Sequence, residues 1–274
     1  MRSLRFLLFA LICAVALILV SCGKSSDPTN SGESFQVGLL RIADLTVGQS
    51  VFTNFGTDSL LQGRIQAENE VEPEEGQMEV EDFQAKLQGA MANATYAVQF
   101  CSFAGGLSGC TSVGTVMTDG QGQGQAQLSG LHGSFSGSFV VSRGGINQFV
   151  SGVSTLNSQG GNFEFGLLPV GAVGGLGAGF TTGGDSIKTG QVEVGGGGNA
   201  EFSLTQAMAN ATYSAMVCPF GMGAAGCVSA GNITTNGSGN ASGEAGVSQQ
   251  GAFSGILVLE RNNAAQFVSG FTIP

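Results

Sequence analysis

Tryptophan is absent from this chain of 274 residues, histidine occurs once, tyrosine twice, and lysine and arginine together nine times. Each scarcity excludes something. Nine cationic side chains against 19 carboxylates leave no basic patch for nucleic acid or an anionic lipid surface. A Ser-His-Asp or Cys-His centre would depend on His132 alone. That residue sits in a short polar stretch, Ser129-Gly130-Leu131-His132-Gly133, which reads as a loop. A glycosidase with paired carboxylates would want aromatic platforms for its sugar, and there is no Trp to provide one. No apolar run reaches the roughly 20 residues that cross a bilayer as a helix. The inventory assembles no catalytic centre and implies no cofactor and no metal site.

What is abundant is glycine, with 47 residues, alongside 19 phenylalanines. Ser, Thr, Asn and Gln separate short apolar runs. Glycine costs roughly 1 kcal/mol against alanine inside a helix, so this composition favours many short strands joined by turns. The formal charge is −10, and eight of the 19 acids lie between Glu68 and Asp82. The charge is therefore one acidic segment on a nearly neutral protein.

The first residues carry Arg2 and Arg5, then 15 apolar residues from Phe6 to Val20. That length suits a secretory signal segment. Leu19-Val20-Ser21-Cys22 follows, and it resembles the lipobox of bacterial lipoproteins. The resemblance implies cleavage before Cys22, a diacylglyceryl group on its thiol and, usually, acylation such as palmitoylation of the new N-terminus. It further implies attachment to a membrane of the bacterial cell envelope. Gly23 stands where an Asp would favour inner-membrane retention, which leans towards the outer membrane, on its periplasmic or surface face. Two or three acyl chains hold stably, each buried CH₂ contributing about 0.8 kcal/mol. Residues 1–21 are thus read as signal peptide and 22–34 as a lipidated, Gly/Ser-rich tether.

The remainder repeats itself. Ala90–Cys101 (AMANATYAVQFC) matches Ala207–Cys218 (AMANATYSAMVC) at 8 of 12 positions. Gly133–Gly152 matches Gly251–Gly270 at 11 of 20. Phe35–Leu40 faces Phe163–Leu168, and Gly56-Thr57-Asp58-Ser59 faces Gly183-Gly184-Asp185-Ser186. The copies run over 35–154 and 163–274, joined by a polar linker at 155–162. The first carries about ten extra residues, which fall in the acidic stretch.

Within each copy, Tyr96, Val98 and Phe100, or Tyr213, Ala215 and Val217, alternate as on one strand face. Asn93-Ala94 and Asn210-Ala211 suit turns. Asp119-Gly120 and Asn236-Gly237 suit two-residue hairpins, whose central residues need positive φ. Phe135–Val141, Phe253–Leu259, Gln148–Gly152 and Gln266–Ile273 read as further strands. Seven to nine strands per copy with regular turns indicate an all-β chain of two tandem antiparallel β-sandwich modules. In style these resemble the immunoglobulin-like or transthyretin-like sandwiches of secreted bacterial proteins.

Cys101 and Cys110 are nine apart, as are Cys218 and Cys227. Four cysteines allow three connectivities, and the repeat favours Cys101–Cys110 and Cys218–Cys227. This fits an oxidising compartment and does not fit a zinc spacing. Glu68, Glu70, Glu72, Glu74 and Glu75 are oxygen ligands suited to a weak Ca²⁺ site, though the stretch also reads as a charged edge that discourages aggregation. Asp58 and Asp185 match across the copies, as do Arg143 and Arg261, which predicts a salt bridge Asp58–Arg143 and another Asp185–Arg261. The Asn-x-Ser/Thr triplets at Asn93, Asn210, Asn232 and Asn240 read as turn sequence. The functional expectation is a non-enzymatic, membrane-anchored envelope protein that is structural, adhesive or binds a protein. The alternative is a ligand-, glycan- or calcium-binding envelope protein that uses residues 68–82.

Overall fold

The computed structural model describes residues 35–45, 49–67, 83–131, 134–154, 163–173, 176, 179–194, 199–247 and 252–272. The segment 1–21 expected to be a signal peptide, Cys22, the acidic stretch 68–82, His132 and the expected linker 155–162 lie outside the described residues. The structure is all-β and antiparallel, with short 3₁₀ turns and, among the described residues, no helix long and apolar enough to cross a membrane.

The first copy forms β1 (Phe35–Arg41), β2 (Gln62–Ala67), β3 (Phe83–Gln88), β4 (Thr95–Ser102), β5 (Cys110–Met117), β6 (Gly124–Leu128), β7 (Ser134–Phe135), β8 (Gly137–Arg143) and β9 (Ile146–Ser154). The second forms β10 (Phe163–Pro169), β11 (Thr189–Val194), β12 (Asn199–Thr205), β13 (Thr212–Pro219), β14 (Val228–Thr234), β15 (Ala241–Gly246), β16 (Ala252–Phe253), β17 (Gly255–Arg261) and β18 (Ala264–Thr272). Paired neighbours run β6-β3-β2-β1-β9-β8-β4-β5 in the first copy and β15-β12-β11-β10-β18-β17-β13-β14 in the second. Each sheet curls. In the first copy the outer strands β5 and β6 meet at a Thr118–Gly124 bridge, and Ser129 N–H donates to Val113 O at 2.9 Å.

Alternation explains the curl. β4 buries Tyr96, Val98 and Phe100, and β13 buries Tyr213, Ala215 and Val217, as period two predicts. These side chains fill the concave face together with Ile65, Phe83, Phe139 and Phe149, or with Val192, Phe202, Leu259 and Phe267.

The hairpins after β5 and β14 differ from expectation. Positive φ falls on Gly122 (72°) and Gly239 (76°), the second glycine of each turn. Asp119 N–H donates to Gln123 O and Gly122 N–H to Asp119 O, so three residues lie within the loop. The Asp119 carboxylate accepts from the N–H groups of Gln121 and Gln123, and Asn236 Oδ1 accepts likewise from Ser238 and Asn240. The side-chain oxygen thus holds the first half of the turn, and one left-handed residue suffices for the rest.

A local two-fold axis relates the copies. Gln36 of β1 pairs with Glu164 of β10, and these are the same position in each repeat. β7 pairs with β18, and β16 pairs with β9, so each copy lends a two-residue strand to the other. Ser136 Oγ donates to Ser269 O at 2.7 Å, and Ser254 Oγ to Ser151 O at 2.8 Å. Phe103 packs on its counterpart Phe220 at 6.1–6.3 Å ring spacings that also include Phe52 against Phe220 and Phe103 against Phe180. A second apolar core, with Ile42, Phe52, Val140, Val170, Ile256 and Val258 among its members, joins the convex faces. Residues Ser34–Pro274 consequently form one compact unit.

Candidate functional site

Two kinds of polar constellation stand out, a duplicated network at one end of each copy and a ladder across the outer sheet. In the first network Arg143 Nε and its terminal nitrogen grip both oxygens of Asp58 at 2.6 and 2.7 Å. In the second, Arg261 grips Asp185 in the same two-pronged way. Both ion pairs join the partners expected from the repeat. Two further members were not anticipated. The Tyr96 hydroxyl donates to Asp58 Oδ2 at 2.8 Å, and Tyr213 donates to Asp185 Oδ2 at 2.9 Å. The buried amides of Gln148 and Gln266 accept from the backbone N–H of Asp58 and Asp185.

Local structure allows this. Gly56 and Gly183 lie against those amides, and a Cβ there would fall 2.2 Å from Gln148 Oε1 and 2.0 Å from Gln266 Oε1. The chain before β2 and β11 can therefore press its aspartate inward. Both tyrosines in the sequence serve this one purpose. The sequence signal was present, since each tyrosine and glutamine recurs at matched positions.

The arginine beside each aspartate holds its carboxyl below the usual range, aided by the tyrosine and opposed by burial. Burial chiefly, with the adjacent carboxylate, pushes each tyrosine up to about 12. Such groups are locked in one protonation state near neutrality. The two-pronged arginine and the tyrosine hydroxyl on one carboxylate have the geometry of a brace.

Cys101 is bonded to Cys110 and Cys218 to Cys227. Cys101 and Cys110 are direct cross-strand neighbours of β4 and β5. The five glutamates assigned to a weak cation site lie outside the described residues, between β2 and β3. Among the described residues, no group of three or more His, Cys, Asp or Glu is placed to hold a metal ion.

The ladder was not foreseen, because register across strands is not written in any one strand. On the outward face, Gln127, Gln84, Gln66 and Gln36 stand directly opposite one another across β6, β3, β2 and β1. The row continues through Gln36–Glu164 into Glu193, Glu201 and Glu244 on β11, β12 and β15. Each of the four glutamines of this row in the first copy is thus a glutamate in the second. One step along, the first copy pairs Arg64 with Lys86, where the second has Gln191 and Ser203.

Comparison with protein-family models, with curated proteins and with solved structures gives no match.

Proposed function

We propose that the chain is a lipoprotein of the bacterial cell envelope, lipidated at Cys22 and held at a membrane, outer rather than inner. It presents two tandem antiparallel β-sandwich modules as a rigid, non-enzymatic platform for a protein or glycan partner. The observation that carries this reading is the order Arg2, Arg5, an apolar stretch of 15 residues, then Leu19-Val20-Ser21-Cys22 and a polar tether. The platform reading draws support from the use made of the matched Asp, Arg and Tyr side chains, which brace the fold. The crossed strands and shared core keep the two copies in a fixed relation, which suits a spacer or display role. Metabolic labelling with an alkynyl palmitate tests the anchor. The account expects label on the wild-type protein, an N-terminus at Cys22, and loss of both label and membrane retention in Cys22→Ser. A soluble wild-type protein, cleaved elsewhere and unlabelled, would overturn it.

A further inference from the structure

We propose that two copies of the chain associate face to face, the carboxylate ladder of one lying against the Arg64–Lys86 pair of the other. This inference is independent of the lipid anchor. It starts from a cost. Like charges directly opposite on neighbouring strands destabilise a sheet, their Cβ atoms being only about 4.5–5.5 Å apart. Glu201 faces Glu193 on one side and Glu244 on the other. The first copy shows that the fold accepts glutamine at each of these places, so the fold does not require the carboxylates. Arg64 opposite Lys86 is a like-charge pair of the other sign. There the second copy shows that glutamine and serine serve equally well.

Two unfavourable sets of opposite sign therefore occupy corresponding faces. Among the described residues, Arg41, Arg143 and Arg261 are in salt bridges, which leaves Arg64, Lys86 and Lys188 without one. Glu164 and Glu193 already have other interactions, so the docking rests on Glu201 and Glu244, both exposed, Glu244 accepting only a long 3.5 Å hydrogen bond from Asn199 Nδ2. The row is continuous through the local two-fold axis at Gln36–Glu164. A second copy laid on this face and turned end for end sets the basic half against the acidic half at both places. Such a contact is self-complementary and closes as a dimer. Its charge pairing makes it sensitive to salt.

The test uses the full chain in detergent, with ¹⁴N- and ¹⁵N-labelled protein mixed and joined by a zero-length carbodiimide. The proposal expects mixed-isotope peptides that link Lys86 to Glu201 or Glu244, lost in high salt. Glu201→Gln with Glu244→Gln, which copies residues already present in the first repeat, should weaken dimerisation about tenfold or more. Arg64→Glu/Lys86→Glu and Glu201→Lys/Glu244→Lys should each be monomeric alone and pair when mixed. Cross-links confined to one isotope, Lys86 joined only to residues 68–82 of its own chain, or no pairing between the swapped variants would overturn it.

Discussion

The Tyr96 hydroxyl offers the sharpest test of the bracing network. Tyr96→Phe keeps the ring, which packs on Phe149 at 5.4 Å, and deletes one oxygen. That oxygen donates to Asp58 at 2.8 Å and accepts from Met91 N–H at 3.1 Å. A hydrogen bond to a charged acceptor contributes about 1.5–3 kcal/mol, so about 2 kcal/mol should be lost. For a body of this size that lowers Tm by about 4–8 °C. The sign with pH follows from the carboxyl. Its folded pKa is depressed below the unfolded value of about 3.9. The stability it supplies is therefore complete above that value and is lost as pH falls through the folded pKa. The difference in Tm between wild type and Tyr96→Phe should accordingly be constant from pH 7 to about 5 and shrink in stronger acid. Tyrosine works at the other end. With the folded pKa at about 12 against an ordinary 10, wild type should lose stability as pH rises through that interval, and Tyr96→Phe should lose less. The assay is thermal unfolding followed by circular dichroism across pH. A variant that melts within one degree of wild type at about pH 7, or a difference that persists undiminished at pH 2, would refute the role given to this pair.

Three other outcomes follow from the same geometry. Gly122→Ala or Gly239→Ala forces a left-handed residue with its Cβ 2.1 or 2.0 Å from the Ala90 or Ala207 carbonyl oxygen; each should cost at least about 2 kcal/mol in denaturant unfolding, whereas Gly120→Ala should be nearly neutral. At protein concentrations low enough to keep the chain monomeric, Glu201→Gln removes two like-charge neighbours and should stabilise the protein by about 0.5–1 kcal/mol at low salt, a gain that fades as salt is added. Replacing Cys101 and Cys110 by alanine opens a loop closed over a separation of 9 residues and should cost about 2.5–3 kcal/mol, read as a lower urea midpoint that reductant then moves only through the remaining Cys218–Cys227 bond.

Much of the fold was legible in short-range pattern. The run from Tyr96 to Phe100 alternates cleanly, and burial follows it residue by residue. The Asp58–Arg143 and Asp185–Arg261 pairs could be inferred because duplication left the same two charges in both copies. What failed was chemistry that a dipeptide does not carry. Asp119-Gly120 looks like a tight hairpin, but the aspartate side chain caps its own backbone and moves the left-handed position to Gly122. The crossing of the copies was hidden for another reason. β7 and β16 are two residues long, too short for periodicity, and only the break at Ser136 and Ser254 separates them from β8 and β17. The ladder stayed hidden because Gln66, Gln84 and Gln127 become neighbours only once register is known.

The central structural claim is that the two copies make one cooperative body through their crossed strands and the Phe52, Phe103, Phe180 and Phe220 cluster. Scanning calorimetry of the full chain, wild type against Phe103→Ala, addresses it most directly. Truncating a buried phenylalanine costs about 3–5 kcal/mol. The account predicts a single transition in both proteins, with the whole transition of Phe103→Ala shifted to lower temperature. Two separable transitions, of which the substitution moves only one, would contradict it.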